Sequence, residues 1–341
     1  MISRGNIFLL LRVLIFSLVI LFAPHNRVAS KSAEESEFTK NFRTATLHKQ
    51  SVPNYTFALL PNMISTAQEK SIKAGLLYDA KQNKIIWEKE INTALPIASL
   101  SKMMTALLVV EAVAEKRIDW NTEINVTKEA SLISCTKVFL RCGEKLTVEE
   151  LLKAAMITSA NDACYLLAEF LGGTESGFVE QMNKKALQMG MQSTHFSNST
   201  GLPATFKNKD NYSSPLDLLI LTTELLKHYE VVEISSRKGE HIRSGAQKYE
   251  FKNHNKLVIE YSEVDGLKTG YTRKAGFCIA ATANKEKNRL ISIVLGAPSP
   301  LIRNNFVTAI FNNYYGNVLC LGKLASLKQG NNRFENSKIT N

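Results

Sequence analysis

The stretch Ile97-Ala98-Ser99-Leu100-Ser101-Lys102-Met103-Met104-Thr105 begins an apolar helix that carries a serine and a lysine three residues apart. Pro96 disfavours helix in the chain before it, and the apolar spacing after it predicts a helix that runs to about Ala114. Residues three positions apart share a helix face, so Ser99 and Lys102 are predicted to be neighbours. A desolvated lysine has a lowered pKa and can accept the serine proton, which would make Ser99 a nucleophile.

Two further motifs give weight to this serine–lysine pair, which alone is more often a helix cap beside a solvated charge. Ser159-Ala160-Asn161 lies between two predicted helices, and Lys268-Thr269-Gly270 lies on a predicted strand. Taken alone, Ser159 and Asn161 would be read as caps of the second helix. All three motifs in this order, however, form the signature of serine enzymes that recognise penicillin.

The order of predicted elements indicates the fold class. Strands are predicted near both ends of the chain, at 74–79, 85–88, 264–272, 277–283 and 289–296. Helices are predicted at 99–114, 148–158, 163–171, 215–229 and 298–315. This order predicts an α+β fold with one antiparallel sheet that joins both chain ends, flanking helices and an inserted all-helical cluster. The active site would lie where the sheet edge meets the cluster.

The first thirty residues have the pattern of an export signal. Arg4 supplies positive charge, residues 7–23 are largely apolar, and Val28-Ala29-Ser30 offers small residues for cleavage. An uncleaved anchor is the alternative, although the apolar run from 13 to 23 is short for a bilayer. We therefore predict export to the periplasm or to the outer face of the cytoplasmic membrane. The predicted divisions are a signal peptide at 1–30, a flexible lead-in at 31–60, a catalytic domain at 61–317 and a polar tail at 318–341, with no second β-domain.

The charge and the metal-ligating residue types limit the partners. The net charge is +11, from 42 basic and 31 acidic residues, and the basic residues are dispersed. We therefore expect no nucleic-acid partner, and peripheral contact with anionic lipid headgroups or wall polymers instead. The five cysteines fit no zinc pattern and the six histidines do not cluster, so no metal or other cofactor is predicted.

The cysteines also raise the question of a disulfide. Cys164 and Cys278 lie in apolar runs and are predicted core residues. Cys135 and Cys142 flank a short segment of a chain predicted to be exported. We predict a local disulfide between Cys135 and Cys142, with two free thiols as the alternative.

Over about residues 64–316, the chain resembles the D-alanyl-D-alanine carboxypeptidases, which are low-molecular-mass penicillin-binding proteins. Besides the three motifs, the resemblance rests on Gly201-Leu202-Pro203 and on Asp265-Gly266-Leu267 just before Lys268. It implies a monomeric hydrolase that removes the terminal D-alanine of peptidoglycan stem peptides through an acyl-enzyme. It also implies inhibition by β-lactams and no need for a cofactor.

The resemblance assigns the catalytic steps to particular residues. Ser99 would be the acylated nucleophile, and Lys102 would accept its proton. Ser159 would relay a proton to the departing amine, close to Lys268. Backbone N–H groups of Ser99 and Tyr271 would form the oxyanion hole.

The resemblance also assigns the substrate contacts. Asn161 would hydrogen-bond the substrate amide, and Thr269 would bind the terminal carboxylate with help from the charge of Lys268. Gly270 would let the substrate lie against the strand. Some relatives use an upstream arginine for the carboxylate, whereas here His254 is nearest that place, so this contact is open.

Three other functions are alternatives: a class A-like β-lactamase, a D,D-endopeptidase, and a catalytically silent wall-binding module. The complete set of motif residues argues against a silent module. Class A-like β-lactamases place a glutamate, followed four residues later by an asparagine, between the second and third motifs. No glutamate between Asn161 and Lys268 has an asparagine four positions on. We therefore expect slow hydrolysis of penicillin.

Overall fold

The computed structural model describes residues 53–60, 62–203 and 209–316. Its strands are β1 Thr56–Phe57, β2 Ala74–Asp79, β3 Lys84–Lys89, β4 Leu95–Pro96, β5 Glu123–Asn125, β6 Lys145–Thr147, β7 Tyr212–Ser213, β8 Gly239–Ile242, β9 Tyr249–Lys252, β10 Val264–Thr272, β11 Gly276–Lys285 and β12 Asn288–Ala297. Its α-helices are α1 Thr66–Lys70, α2 Lys102–Ala114, α3 Lys128–Leu132, α4 Val148–Ile157, α5 Asn161–Gly172, α6 Glu175–Gln188, α7 Pro215–Leu225, α8 Tyr229–Ser236, α9 Lys256–Glu260 and α10 Pro300–Tyr315. A 3-10 turn, Ala98–Ser101, leads directly into α2.

The main sheet joins the two ends of the folded domain, as the α+β prediction requires. Its strand order is β1-β3-β2-β12-β11-β10. The early strand β2 pairs antiparallel with the late strand β12, with Gly75 opposite Val294. Strand β10, which carries the Lys-Thr-Gly motif, pairs with β11 and lies at the edge of the sheet.

The alternation of apolar side chains along the strands divides the core between the two faces of the sheet. On β2, Leu76 belongs to the cluster shared with α2 and the inserted helices, whereas Leu77 belongs to the cluster under α10. In that second cluster the ring of Trp87 lies 5.2 Å from the ring of Phe306, centroid to centroid. The helices α4, α5 and α6 form the inserted cluster, so the fold class is confirmed.

Most of the predicted elements are confirmed, including α4, which begins with a capping box formed by Thr147 and Glu150. Two helix predictions are wrong in detail. Ser99 lies in the 3-10 turn rather than in α2. The helix expected from 215 to 229 breaks after Leu225, and the chain turns at 226–228 before α8 buries Val231 and Ile234.

Some elements were not predicted at all. Helix α6 was missed because most of its residues are polar and it buries only Phe178, Met182 and Ala186. The β8–β9 hairpin was also missed. Both elements contribute to the surroundings of the site.

The predicted divisions of the chain are only partly within the described residues. The signal peptide at 1–30, most of the lead-in at 31–60 and the tail at 318–341 lie outside them. The end of the lead-in forms β1, which pairs in parallel with β3, and its continuation donates a hydrogen bond from Leu60 N to Ile86 O at 3.0 Å. In the described part of the chain, no helix is both long enough and apolar enough to cross a membrane.

Candidate active site

The turn that carries Ser99 is clamped between two other backbone segments. Ala98 has a φ of 49°, an uncommon value for a residue with a side chain. A Cβ on Gly201 would lie 2.0 Å from the Ala98 carbonyl oxygen. A Cβ on Gly270 would lie 2.9 Å from Ile97 O and 3.0 Å from Ser99 N. Only glycine therefore lets both segments approach the Ser99 turn this closely.

This packing gives Gly270 a structural role. Its missing side chain makes room for the Ser99 turn, and its predicted place beside the substrate stays a prediction. The consequence is that β10 runs directly beside the backbone N–H of Ser99. The next residue on that strand is Tyr271, whose side chain is 56% exposed and stacks on Phe277 with ring centroids 4.2 Å apart.

Lys102 is confirmed as the neighbour of Ser99. Its Nζ lies 3.2 Å from Ser99 Oγ, 2.7 Å from Asn161 Oδ1 and 2.7 Å from the Thr200 carbonyl oxygen. The side chain is buried, and this burial lowers the pKa of Lys102 to about 8, although nearby Cys164 and Asp162 oppose the shift. A neutral amine can donate to Asn161 and Thr200 and direct its lone pair at the Ser99 hydroxyl. That arrangement suits a general base.

Ser159 and Asn161 are not helix caps, which removes the structural alternative for this motif. The N-cap of α5 is Ala160, without a side-chain cap. Asn161 instead uses its amide within the protein: Oδ1 accepts from Lys102, and Nδ2 donates to the Ser134 carbonyl at 3.2 Å. Ser159 is buried with a φ of 65°. The proton relay through Ser159 stays a prediction. The hydrogen bond from Asn161 to a substrate amide also stays a prediction.

The Lys-Thr-Gly motif brings a second buried lysine to the site. Lys268 Nζ donates to the Thr269 carbonyl at 3.0 Å. Burial, together with the charge of Lys102, lowers the pKa of Lys268 well below its ordinary value. Two buried ammonium groups disfavour each other's charge, so a bound anion would be favoured here.

His254 lies near this pair, but it does not replace an arginine. Its Nε2 lies 3.4 Å from Thr158 Oγ1. Burial and then the charges of Lys268 and Lys102 lower the pKa of His254 to about 4, so its imidazole is neutral at pH 7. His254 therefore supplies no positive charge to this part of the site at pH 7.

A cleft of about 780 Å³ opens over Ser99. Asn161, Tyr271, Arg273 and Lys274 line it, whereas the side chains of Lys102 and Lys268 lie buried behind it. Asp210 also lines the cleft, and its carboxylate forms an ion pair with Lys274 at 2.8 Å.

The disulfide predicted between Cys135 and Cys142 is wrong. Both are free, exposed thiols, whereas Cys164 and Cys278 are buried as predicted. The segment between Cys135 and Cys142 is held by the Asp162 carboxylate, which accepts the N–H groups of Val138 and Leu140. Hydrogen bonds to Asp162, and no disulfide, therefore hold this segment in place.

Two contributors to the site were missed. The carbonyl of Thr200 binds Lys102 from 98 residues along the chain. A contact made by a backbone atom does not depend on the residue type, so no sequence motif indicates it. Asp162 was visible beside Asn161 in the sequence, yet its role depends on a loop whose path the sequence does not indicate. Among the described residues there is no cluster of three or more side chains suited to a metal ion.

Comparisons with known proteins agree on one group. A family model for D-alanyl-D-alanine carboxypeptidases, Peptidase_S11, matches residues 62–299. D-alanyl-D-alanine carboxypeptidase DacF of Bacillus subtilis is 36% identical over 241 residues, which cover 70% of this chain and 61% of that relative. A D-alanyl-D-alanine endopeptidase of Haemophilus influenzae is 32% identical over 235 residues, 68% of this chain and 77% of the relative.

A solved structure gives the same result for the fold. Penicillin-binding protein D2 of Listeria monocytogenes, in its ampicillin-bound form, matches with a TM-score of 0.64 and 30% identity. The match covers 71% of this chain and 97% of that one. The architecture built from the residues is therefore that of a penicillin-binding protein.

The close approach of Gly201 to the Ser99 turn can be tested by substitution. Gly201→Ala should lower the free energy of unfolding by about 1–3 kcal/mol more than Gly143→Ala, because the new Cβ overpacks against Ala98. Gly143 is a matched control: its φ of 86° resembles the 79° of Gly201, but no atom lies within 4 Å of its Cβ position. Urea unfolding measures both. Equal losses would show that backbone strain alone, and no close approach, requires glycine at 201.

Proposed function

Because this chain belongs to the Peptidase_S11 family of D-alanyl-D-alanine carboxypeptidases, we propose that it removes the terminal D-alanine of peptidoglycan stem peptides. The observation that carries the proposal is the contact of 3.2 Å between Lys102 Nζ and Ser99 Oγ, made by an amine with a pKa of about 8. This chain spans 61% of the length of the Bacillus relative, so the proposal concerns the part that holds the site. We assign residues 61–317 as that catalytic domain.

Acylation follows from the geometry. Ser99 Oγ attacks the carbonyl of the last peptide bond as its proton passes to Lys102 Nζ. The backbone N–H groups of Ser99 and Tyr271 stabilise the oxyanion, each by roughly 3 kcal/mol. The C–N bond then breaks, and the amine of D-alanine leaves with a proton relayed through Ser159. The product is an ester between Ser99 and the shortened peptide.

Substrate binding uses the edge of the sheet. Strand β10 pairs with β11 on one side, and no strand of the described residues pairs with its other side. An extended peptide can add there as a further strand. The terminal carboxylate would bind Thr269, and the positive charge of Lys268 would favour its binding. The side-chain amide of Asn161 would also form a hydrogen bond with the substrate amide.

Deacylation returns the enzyme to its starting state. A water molecule attacks the ester and gives its proton to Lys102, and as the C–O bond to Ser99 breaks this proton passes from Lys102 to Ser99 Oγ. The chain needs no cofactor for either half-reaction, because the nucleophile and the base are its own side chains. We also propose that the protein acts as a monomer.

The location of the substrate supports export. Stem peptides lie in the cell wall, so we propose that residues 1–30 direct the protein to the periplasm or to the outer face of the cytoplasmic membrane. The dispersed positive charge of +11 would favour peripheral contact with anionic lipids or wall polymers.

A second candidate, D,D-endopeptidase activity, has support from the Haemophilus relative. The same acylation would cut the bridge of a cross-linked peptide if the cleft over Ser99 admits the second stem. A cross-linked dimer and a linear pentapeptide, supplied at equal concentration, distinguish the two activities by which product forms first.

Substitutions at Ser99 and Lys102 test the assignment of the nucleophile and its base. The chain should release D-alanine from a pentapeptide that ends in D-Ala-D-Ala and should form a penicillin adduct at Ser99. Ser99→Ala should abolish both, and Lys102→Ala should reduce both nearly as far, because the serine then lacks its base. Assays of free D-alanine and intact-protein mass spectrometry make the measurements. A penicillin adduct of equal yield in Ser99→Ala would rule out the assignment.

The pH dependence of acylation tests the base. Lys102 acts when neutral, and its pKa is lowered to about 8, so the rate constant for penicillin acylation should rise with pH and level off above pH 8. Below that value the rise should be about tenfold per pH unit, because the neutral fraction changes by that factor. Stopped-flow labelling measures the rate constant, with circular dichroism as a check on folding. A flat or falling profile through pH 8 would contradict this role.

The fate of the penicillin adduct separates this protein from class A-like β-lactamases. The described residues that line the cleft include one carboxylate, Asp210, which is engaged by Lys274. With no free carboxylate to activate water, the adduct should outlast many turnovers of the peptide substrate. Asp210→Asn should therefore leave the lifetime of the adduct unchanged. Penicillin turnover of about ten per second or faster would place the protein with the β-lactamases instead.

A further inference from the structure

One wall of the Ser99 cleft is a loop whose conformation depends on contacts with other parts of the protein. Residues 133–144 run from α3 to β6 without regular secondary structure, and Cys135 and Thr136 line the cleft. Cys135 and Phe139 have positive φ values of 68° and 57°. Such values are disfavoured for residues with side chains, so contacts from elsewhere must fix this conformation.

The Asp162 carboxylate holds this loop from the interior. It accepts the N–H groups of Val138 and Leu140, each at 3.1 Å. Asp162 directly follows Asn161, whose own N–H donates to the Thr136 carbonyl at 2.8 Å. The start of α5 therefore binds the loop at several points and holds Lys102 at the same time.

Arg243 holds the loop from the opposite side. Its guanidinium forms a two-pronged ion pair with Glu144, with Nε 2.8 Å from Oε2 and a terminal nitrogen 2.6 Å from Oε1. The same group donates to the carbonyls of Val138 at 3.3 Å and Phe139 at 3.0 Å. The Arg243 side chain is only 8% exposed, and paired charges with this geometry are stronger than ordinary surface pairs. Val138 is thus held by its N–H from Asp162 and by its carbonyl from Arg243.

Arg243 is itself placed by the helical cluster. It follows β8, and its backbone N–H donates to Glu150 Oε1 at 3.0 Å. The other carboxylate oxygen of Glu150 closes the capping box of α4. The position of the guanidinium is therefore fixed relative to the helix that leads into Ser159.

The loop decides which end of the Asn161 amide faces Lys102. The Ser134 carbonyl accepts from Asn161 Nδ2, and this bond leaves Oδ1 to accept from Lys102. An amide presents two donors at one end and an acceptor at the other, so a displaced Ser134 would let it rotate. A rotated Asn161 amide would present N–H groups to the Lys102 amine. The lone pair of that amine would then face the amide and no longer face Ser99.

We infer that Arg243 is a positioning residue for acylation, an inference that rests on the proposed function. Together with Asp162, it fixes the 133–144 loop so that Asn161 holds the Lys102 amine against Ser99. Arg243 touches neither the nucleophile nor its base. Its removal should therefore act on the rate constant of the chemical step.

The test is the rate constant for penicillin acylation, measured per molecule that can be labelled. Arg243→Ala and Arg243→Lys should both lower it between about tenfold and a hundredfold, the range expected when catalytic groups are misplaced. Lysine keeps the charge but cannot reach Glu144 and two carbonyls at once. Normalising to the labelled fraction removes the effect of partial unfolding, because misfolded molecules are not counted.

Arg237 provides a matched control. It lies before the same hairpin and pairs with Glu233 and Glu240, but it makes no bond to the 133–144 loop. Arg237→Ala should leave the rate constant at the wild-type value. If Arg243→Ala does not fold, Glu144→Gln should still lower the rate constant, because it removes the charge that anchors the guanidinium and keeps the side-chain shape.

The outcomes separate this inference from the function on which it rests. A wild-type rate constant in Arg243→Lys and in Glu144→Gln would overturn the positioning role and leave the proposed function intact. An equal loss in Arg237→Ala would also overturn it, since any ion pair near the hairpin would then suffice. A wild-type protein that penicillin does not acylate would overturn both.

Discussion

The burial of the Lys102 amine is the constraint on which the rest of the site depends. An ammonium group taken out of water loses its hydration, so the protein must either neutralise it or surround it with acceptors. Here both apply: the pKa falls to about 8, and Asn161 and Thr200 each supply an acceptor at 2.7 Å. Those acceptors lie 59 and 98 residues along the chain, so the fold must be complete before the base exists.

The same constraint explains why unusual backbone conformations gather around Ser99. Ala98, Ser159 and Gly201 all have positive φ values, and each belongs to a segment that borders the Ser99–Lys102 pair. Such conformations cost free energy and persist only where the surroundings impose them. Gly270 adds a close approach without positive φ, which brings β10 against the same turn. The sheet and the helical cluster thus meet at the Ser99 turn itself.

The sequence predicts the regular parts of this arrangement better than the irregular ones. Apolar periodicity predicted the five main strands, and the spacing of Ser99 and Lys102 predicted their contact, because both depend on local geometry. The disulfide prediction failed because cysteine spacing says nothing of the path between them, which Asp162 and Arg243 determine through bonds to backbone atoms. Thr200 was missed for the same reason, since its carbonyl would be present whatever its side chain.

Under the proposed function, a single amine base would also make one site treat a peptide and a β-lactam differently. In peptide cleavage the leaving D-alanine diffuses away, so water can reach the ester from the side where Lys102 lies. In a β-lactam the broken C–N bond belongs to a ring, so the leaving nitrogen stays attached to the acyl group and remains close to the base. A second base on another side of the ester would avoid this obstruction, but the acid that lines the described cleft, Asp210, is committed to Lys274. The expected persistence of the penicillin adduct therefore follows from the side of the ester on which Lys102 lies, and it requires no weaker nucleophile.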